Sequence, residues 1–372
     1  MSTIFDNGGK RFFEYELLTL SNGTYQHSQF ITDYVDRGAI NIDFTRDVIS
    51  GADFNILETE DLNINYLTDL IKPWLNFQPL FSTEIYKIPL GHYMLLSPNI
   101  DYDGKSKTRF IQGFDLLKAL DIKTTESYSF PVGTNVIGAI ESLLNDIGSW
   151  VNYQITPSDA VLGEDVSYQL GRSVLFIINS LLNMINYYPM FVTGNGVYKA
   201  IPWNANPNIL HEFIDNDVSL YESRIRKNVD YTNYYNEVIV INNLIQEDTP
   251  ALYKKLTMED IGLQDHPFSY TSTLKRKPEV FQSEAVSQDY IDLRAERELR
   301  KMLEIEESIS YYHDFVSRLS DGIPWQGDSF RFKNNNLNVD EVYKIVSMTY
   351  NLDVNMTINS TIRRVRSTWQ NL

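Results

Sequence analysis

The residues best suited to proton transfer or metal ligation near neutral pH are five histidines, His27, His92, His211, His266 and His313. No two of them stand at the three- or four-residue spacing by which a helix or turn presents a ligand pair. Each is therefore expected in a structural or surface role. Asp101 to Ser106, DYDGKS, has the opening of a calcium loop but lacks the acidic ligand such a loop supplies about twelve residues in. A hairpin turn on Asp103–Gly104 is the simpler expectation, and Gly327–Asp328 in WQGDSF should likewise turn the chain into a strand. The sequence has no H-E-x-x-H pair, Walker lysine loop, G-x-S-x-G elbow or G-x-G-x-x-G fingerprint. With no cysteine, it has no disulfide, thiolate metal site or cysteine nucleophile. Its 49 acidic residues offer many carboxylate pairs of the kind that cleave glycosides, and none stands out. No catalytic, cofactor-binding or metal-ligating residue is assigned, no cofactor is expected, and the chain reads as a non-enzyme.

The elements that would position any site begin with GRSVLFIINSLLNMINYYPMFVTGNGVYKAIPW, Gly171 to Trp203. A membrane span needs about 20 mostly apolar residues. Here Asn179, Ser180, Asn183, Asn186 and Pro189 interrupt the apolar run, at a prohibitive cost in hydrocarbon. Val174, Ile177, Ile178, Leu181, Leu182 and Ile185 follow the i, i+3, i+4, i+7 spacing of an amphipathic helix. The asparagines fall largely on its other face, toward water. The helix is expected over Gly171 to Tyr188, ended by Pro189, and followed by a hairpin on Gly194–Asn195–Gly196. No membrane span is expected.

At 372 residues the chain should hold two to four domains, and its 24 Tyr and 19 Phe favour sheet. Alternation in FFEYELLTL and INIDFTRDV predicts strands, with turns at Ser21–Asn22–Gly23 and Asp36–Arg37–Gly38. Further strands and a short helix near Asp115 to Leu120 complete a β domain over 1–122. Residues 123–205 form an α/β unit, with Val136, Ile137, Ile140, Leu143, Leu144 and Ile147 on one helical face. Strands return over 206–252, including Glu237 to Ile241, and over 318–372. Between them, 253–317 is an insertion containing the charged helix Asp289 to Ser308. The fold class is mixed β and α/β: two β-barrel domains flanking a small α/β domain, with a helical insertion in the second barrel region.

The formal charge of −17 repels phosphates at long range, so no specific nucleic-acid binding is expected. The order of segments says more. DLIKPWL and the stretch Glu84 to Leu120 look like the end of a first hub barrel and its exit helix. Val132 to Ile155 and Gly171 to Trp203 look like the α/β domain. IRKNVDYTNYYNEVIVINN looks like the start of a second barrel, and SQDYIDLRAERELRKMLEIEES before WQGDSFRF and EVYKIVSMTYNL looks like an insertion and the return. In this pattern the chain resembles the tail hub proteins of bacteriophages, the contractile-phage baseplate hubs and the N-terminal module of siphophage tail-associated proteins. The resemblance covers most of the chain and rests on order, not on one diagnostic motif.

That resemblance implies a homotrimer whose two barrels per subunit form a pseudo-sixfold ring. It would join a sixfold tail tube to a threefold tail tip and let DNA pass during ejection. Implied partners are the tail tube, distal tail or baseplate proteins, and a tail-tip spike, fibre or lysin. The implied location is the virion, after synthesis in the host cytoplasm. Many siphophage relatives continue into a fibre or a peptidoglycan-cleaving domain, whereas this sequence stops at Leu372, so wall-degrading activity is expected on another polypeptide. The alternatives are a cell-wall or polysaccharide hydrolase, or a carbohydrate-binding module suggested by the aromatic content and five tryptophans. Two further expectations concern charge. The 289–308 helix should lie on a peripheral insertion with Arg294, Glu296, Arg297, Glu298, Arg300 and Lys301 solvated. The axial surface of the trimer should be net negative, with the acidic run Glu58 to Asp69 either contributing to it or forming an ordinary outer loop.

Overall fold

A computed structural model describes residues 9–102, 104–204, 208–214, 221–229, 234–242, 252–284, 287–305, 307–313, 323–353 and 357–364. The first hairpin shows how local sequence sets register. Strands β1 (Gly9–Ser21) and β2 (Thr24–Phe30) are joined by Asn22 and Gly23, at φ of 51° and 76°. Two successive positive φ values make the turn whose twist matches a hairpin. Strands β3 (Val35–Asp43), β4 (Ser50–Leu57), β5 (Leu70–Pro79), β6 (Tyr86–Pro89), β7 (Tyr93–Tyr102) and β8 (Lys107–Phe114) follow. The expected turn at Asp36–Arg37–Gly38 lies instead inside β3. A bulge between Val35 and Arg37 absorbs the extra polar residue, and the chain reverses one turn earlier, through a 3-10 turn at Thr32–Tyr34.

Helix α1 (Leu117–Leu120) leads into a small α/β region. It contains β9 (Tyr128–Phe130), α2 (Val136–Ile147), β10 (Tyr153–Ile155), β11 (Val166–Tyr168), α3 (Val174–Met184), β12 (Phe191–Val192) and β13 (Tyr198–Ala200). Both longer helices are capped as their sequences dictate, Asn135 accepting from the Gly138 N–H and Ser173 from the Phe176 N–H. The apolar face of α3 is buried from Val174 to Leu182, and among the described residues no helix is long and apolar enough to cross a membrane. The helix stops short of the expected Tyr188. Asn186 takes a left-handed φ of 56°, which ends it before Pro189. The expected hairpin forms, with Val192 opposite Tyr198.

Strands β14 (Asn208–Ile214) and β15 (Tyr221–Val229) precede the insertion; β19 (Glu307–His313), β20 (Asp328–Asn334), β21 (Val339–Leu352) and β22 (Ile358–Arg364) follow it. All of these join β1–β8 in one 14-stranded sheet whose main path is β15-β19-β22-β21-β3-β4-β8-β7-β5-β1-β2, with β20 branching from β21 and carrying β14, and β6 branching from β5. The seam is β3 against β21, paired from Asp43–Ser347 to Gly38–Leu352. Two β-rich halves, far apart in sequence, thus share one ladder. Among the described residues the sheet has ends at β15 and β2, and no closed barrel is formed.

The insertion builds a separate three-stranded sheet from β16 (Glu237–Asn242), β17 (Tyr253–Thr257) and β18 (Pro278–Ser283), with α4 (Tyr270–Thr273) and α5 (Gln288–Ile305). Strand β16, expected at the start of the second barrel, is the centre of this sheet, antiparallel to β17 and parallel to β18. Its run of β-branched residues suits either sheet, and only the pairing decides. Val238 and Val240 pack on Ile291, Ala295, Leu299 and Met302 of α5, forming a core of their own.

Candidate functional site

The histidines sit apart. His27 contacts Glu16 at 2.8 Å across the first hairpin, His211 packs on Phe213, and His266 accepts from the Phe268 N–H at 3.1 Å. His313 is buried, with Nε2 2.7 Å from Ser360 Oγ. Burial, with Lys72 nearby, lowers the pKa of His92 to about 3 and keeps the ring neutral. Its neighbour Gly196, at φ 76°, comes so close to the ring that a Cβ there would collide with Nδ1. Among the described residues no group of His, Cys, Asp and Glu is placed to hold a metal. Asp103 of the calcium-like stretch lies outside the described residues; Gly104, at φ 89°, turns between β7 and β8. Asp328 closes the turn after Trp325, its carboxylate accepting from the Trp325 N–H while its own N–H donates to the Trp325 carbonyl, both at 3.0 Å.

The chemistry gathers instead where α5 meets α3. The prediction that the α5 charges are solvated needs correction. The side chains of Arg297 and Glu298 are only 6% and 8% exposed, and Arg294 is nearly as buried. They are tolerated because each has partners. Arg297 donates to the Tyr187 carbonyl at 3.3 Å and to Asn183 Oδ1 of α3. The Glu298 carboxylate lies 3.2 Å from Lys301, 3.4 Å from Arg297 and 3.9 Å from Arg294. Burial alone would raise its pKa, but those three cations hold it below the usual carboxylate value. Burial lowers the pKa of both arginines, and Arg297 lowers that of Arg294 further. Glu296 and Arg300 form a more exposed i, i+4 pair at 2.7 Å. The polar face of α3 is likewise not turned to water: Asn183 receives Arg297, and Asn179 accepts from the Met190 N–H at 2.9 Å.

Between α3, α5 and the β21–β22 ladder lies a cleft of about 590 Å³. Its lining includes the aromatic residues Phe44, Phe176, Tyr188 and Trp203. It also includes the cations Arg294, Arg297 and Lys301 on α5, and Lys344 and Arg363, which stand directly opposite each other on β21 and β22. Among the described residues, Glu298 is the one carboxylate lining it. None of this cleft was assigned from the sequence. The two arginines on adjacent turns of α5 were visible, but Lys344 and Arg363 reach the same cleft only through strand pairing.

Two other stretches lie at the surface. At the tip between β5 and β6, Leu80 and Phe81 are exposed, Phe81 fully and at a φ of 65° that bulky residues rarely adopt. The acidic run Glu58 to Asp69 is the loop between β4 and β5. Glu58 pairs with Arg109 at 2.7 Å, Asp69 accepts from the Asn65 N–H, and Leu67 is exposed.

No family model matches this sequence, and no curated protein matches it. Solved structures match its fold over almost its whole length. A tail protein from Neisseria meningitidis MC58 superposes with a TM-score of 0.65 at 12% identity, over 95% of this chain and 97% of that one. The 43 kDa tail protein of prophage MuSo2 from Shewanella oneidensis gives 0.61 at 11% identity, over 95% and 98%. Prophage tail protein gp18 from Listeria monocytogenes EGD-e gives 0.53 at 11% identity, over 94% of each chain. The chain has the fold of phage tail proteins.

Proposed function

We propose that the chain is a structural hub of a phage or phage-derived tail, without enzymatic activity, located in the virion. The observation that carries this reading is the shared fold, which extends over 95% of the chain and nearly all of the Neisseria tail protein. A fold by itself does not fix a function; what supports the reading is that the likeness runs nearly end to end in both chains and that three of the matched structures are tail proteins. In this reading three copies form a ring, each contributing its two β regions, residues 1–122 and the strands β14, β15 and β19–β22, as barrel-like units that approximate sixfold symmetry. The α/β region, 123–205, braces them, and the insertion is the small sheet β16–β18 with α5, residues 237–305. The ring seats on the tail tube, carries distal tail, spike, fibre or lysin proteins, and passes DNA through a net-negative axis. Closed cyclic symmetry is the usual solution for such assemblies. The exposed Leu80–Phe81 tip supplies apolar surface for a neighbour, since exposed apolar groups in clusters mark contact sites.

The test is molar mass by light scattering on the purified chain, alone and mixed with its tail-tube protein. A trimer in either sample is expected. A chain that stays monomeric in both at high concentration overturns the reading.

A further inference from the structure

The cationic cleft has no role in that reading, and it stands against the charge of the rest of the protein. In a chain of formal charge −17, five cationic side chains and one carboxylate line a single cavity among the described residues. The arrangement is costly in three places. Arg294 and Arg297 are largely desolvated and close enough for one to depress the other's pKa. Lys344 and Arg363 face each other across adjacent strands, where like charges repel. The buried Nε atoms of Arg294 and Arg297, and the buried Oε1 of Gln326 in the same cleft, have no hydrogen-bond partner among the described residues. Glu298 and, for Arg294, Glu284 offset part of this charge.

We propose that this cleft binds an acidic segment of a partner polypeptide, one that carries carboxylates beside an aromatic or large aliphatic side chain. Carboxylates match the cationic lining, in which Lys301 is exposed and Arg363 partly exposed. The apolar side chain matches the aromatic part of the lining, Phe44, Phe176 and Trp203. Nucleic acid fits less well, because a duplex is too wide to enter a cavity of this volume and the surrounding negative field repels a polyanion. The cavity is within the size range of sites that enclose a few side chains. The proposal does not depend on the tail assignment, so a monomeric or non-tail result leaves its own test intact.

The test is calorimetric titration of the whole chain with a capped pentapeptide of alternating Glu and Phe. The same peptide with Gln for Glu and a short DNA duplex serve as comparisons. Binding of the Glu peptide is expected, weakening with added salt. It should weaken by about tenfold or more with the Gln peptide, with Lys301→Glu and with Arg363→Glu, since each removes or reverses a charge-assisted contact. Lys301 is half-exposed, so its variant should fold; Arg363 gives a second reading from a different element. Absence of heat at millimolar Glu peptide, equal binding of the Gln peptide, or indifference to both variants overturns the proposal. Tighter binding of the duplex, abolished by Lys301→Glu, would overturn it in favour of nucleic acid.

Discussion

Helices α3 and α5 meet across one cleft, yet they are built on opposite plans. In α3 the buried face is apolar throughout, and its stability comes from area removed from water. In α5 the stripe Ile291, Ala295, Leu299 and Met302 faces its own small sheet, while Arg294, Arg297 and Glu298 are buried on another side. That second burial is sustained by pairing, not by transfer from water, and it ties the insertion to the α/β region. The first kind of contact is indifferent to pH and salt; the second is not. In α5 the charges at spacings of one, three and four residues pair with one another, and Arg294, Arg297 and Glu298 are buried as a set.

The largest effect that tests this contrast is expected in α3. Leu181→Ala, at a fully buried position, should cost about 3 kcal/mol by loss of transfer energy and an unfilled cavity. Denaturant unfolding should show this loss unchanged between low and high salt. On α5, Arg297→Met should cost about 2 kcal/mol, less than Leu181→Ala, because Glu298 keeps Lys301 and Arg294 as partners. A Glu298→Gln change in the same chain should recover part of it. An Arg297→Met loss near zero would mean that the insertion is held by other contacts.

The finest test is pH, and it sets Glu298 against Asp115. Asp115 is buried and accepts from the Ser50 and Leu117 N–H groups at 2.9 and 3.0 Å. Burial raises its pKa to about 7, against which those two hydrogen bonds work. The folded chain therefore holds this proton to higher pH than the unfolded chain. The stability it contributes is full below the ordinary carboxylate value and falls as pH rises to about 7. Glu298, lowered by its three cations, has the opposite sign: its contribution is present above the ordinary value and lost as pH falls through the folded one. His92, neutral when folded, also loses stability on the acid side, below its ordinary 6.5. Unfolding free energies measured between pH 3 and 8 should show Asp115→Asn removing a loss toward neutral pH and Glu298→Gln removing a loss toward acid. The same pH profile for both variants would refute the contrast.

Much of the local structure was legible in the residues themselves. The α3 face, the Asn22–Gly23 turn, the 194–196 hairpin and the sheet content follow from short-range periodicity and from side chains that permit positive φ. These are properties of a few neighbouring residues, so the sequence by itself determined them. It also excluded a membrane span through α3, because Asn179, Asn183 and Asn186 interrupt every apolar window of sufficient length. The order β, α/β, β was enough to suggest the tail-protein fold that the solved structures share. Three matters were decided only by tertiary structure. Strand β16 could have extended the large sheet, and its β-branched residues fit the small one equally well until β17 and β18 flank it. Asp36–Arg37–Gly38 had turn-like composition, but a bulge let β3 run through it. The cationic cleft joins side chains from α5, β21 and β22, more than 60 positions apart at its extremes. Proximity across such separations depends on which strands pair and which helix packs above them, and no local pattern of charge encodes that.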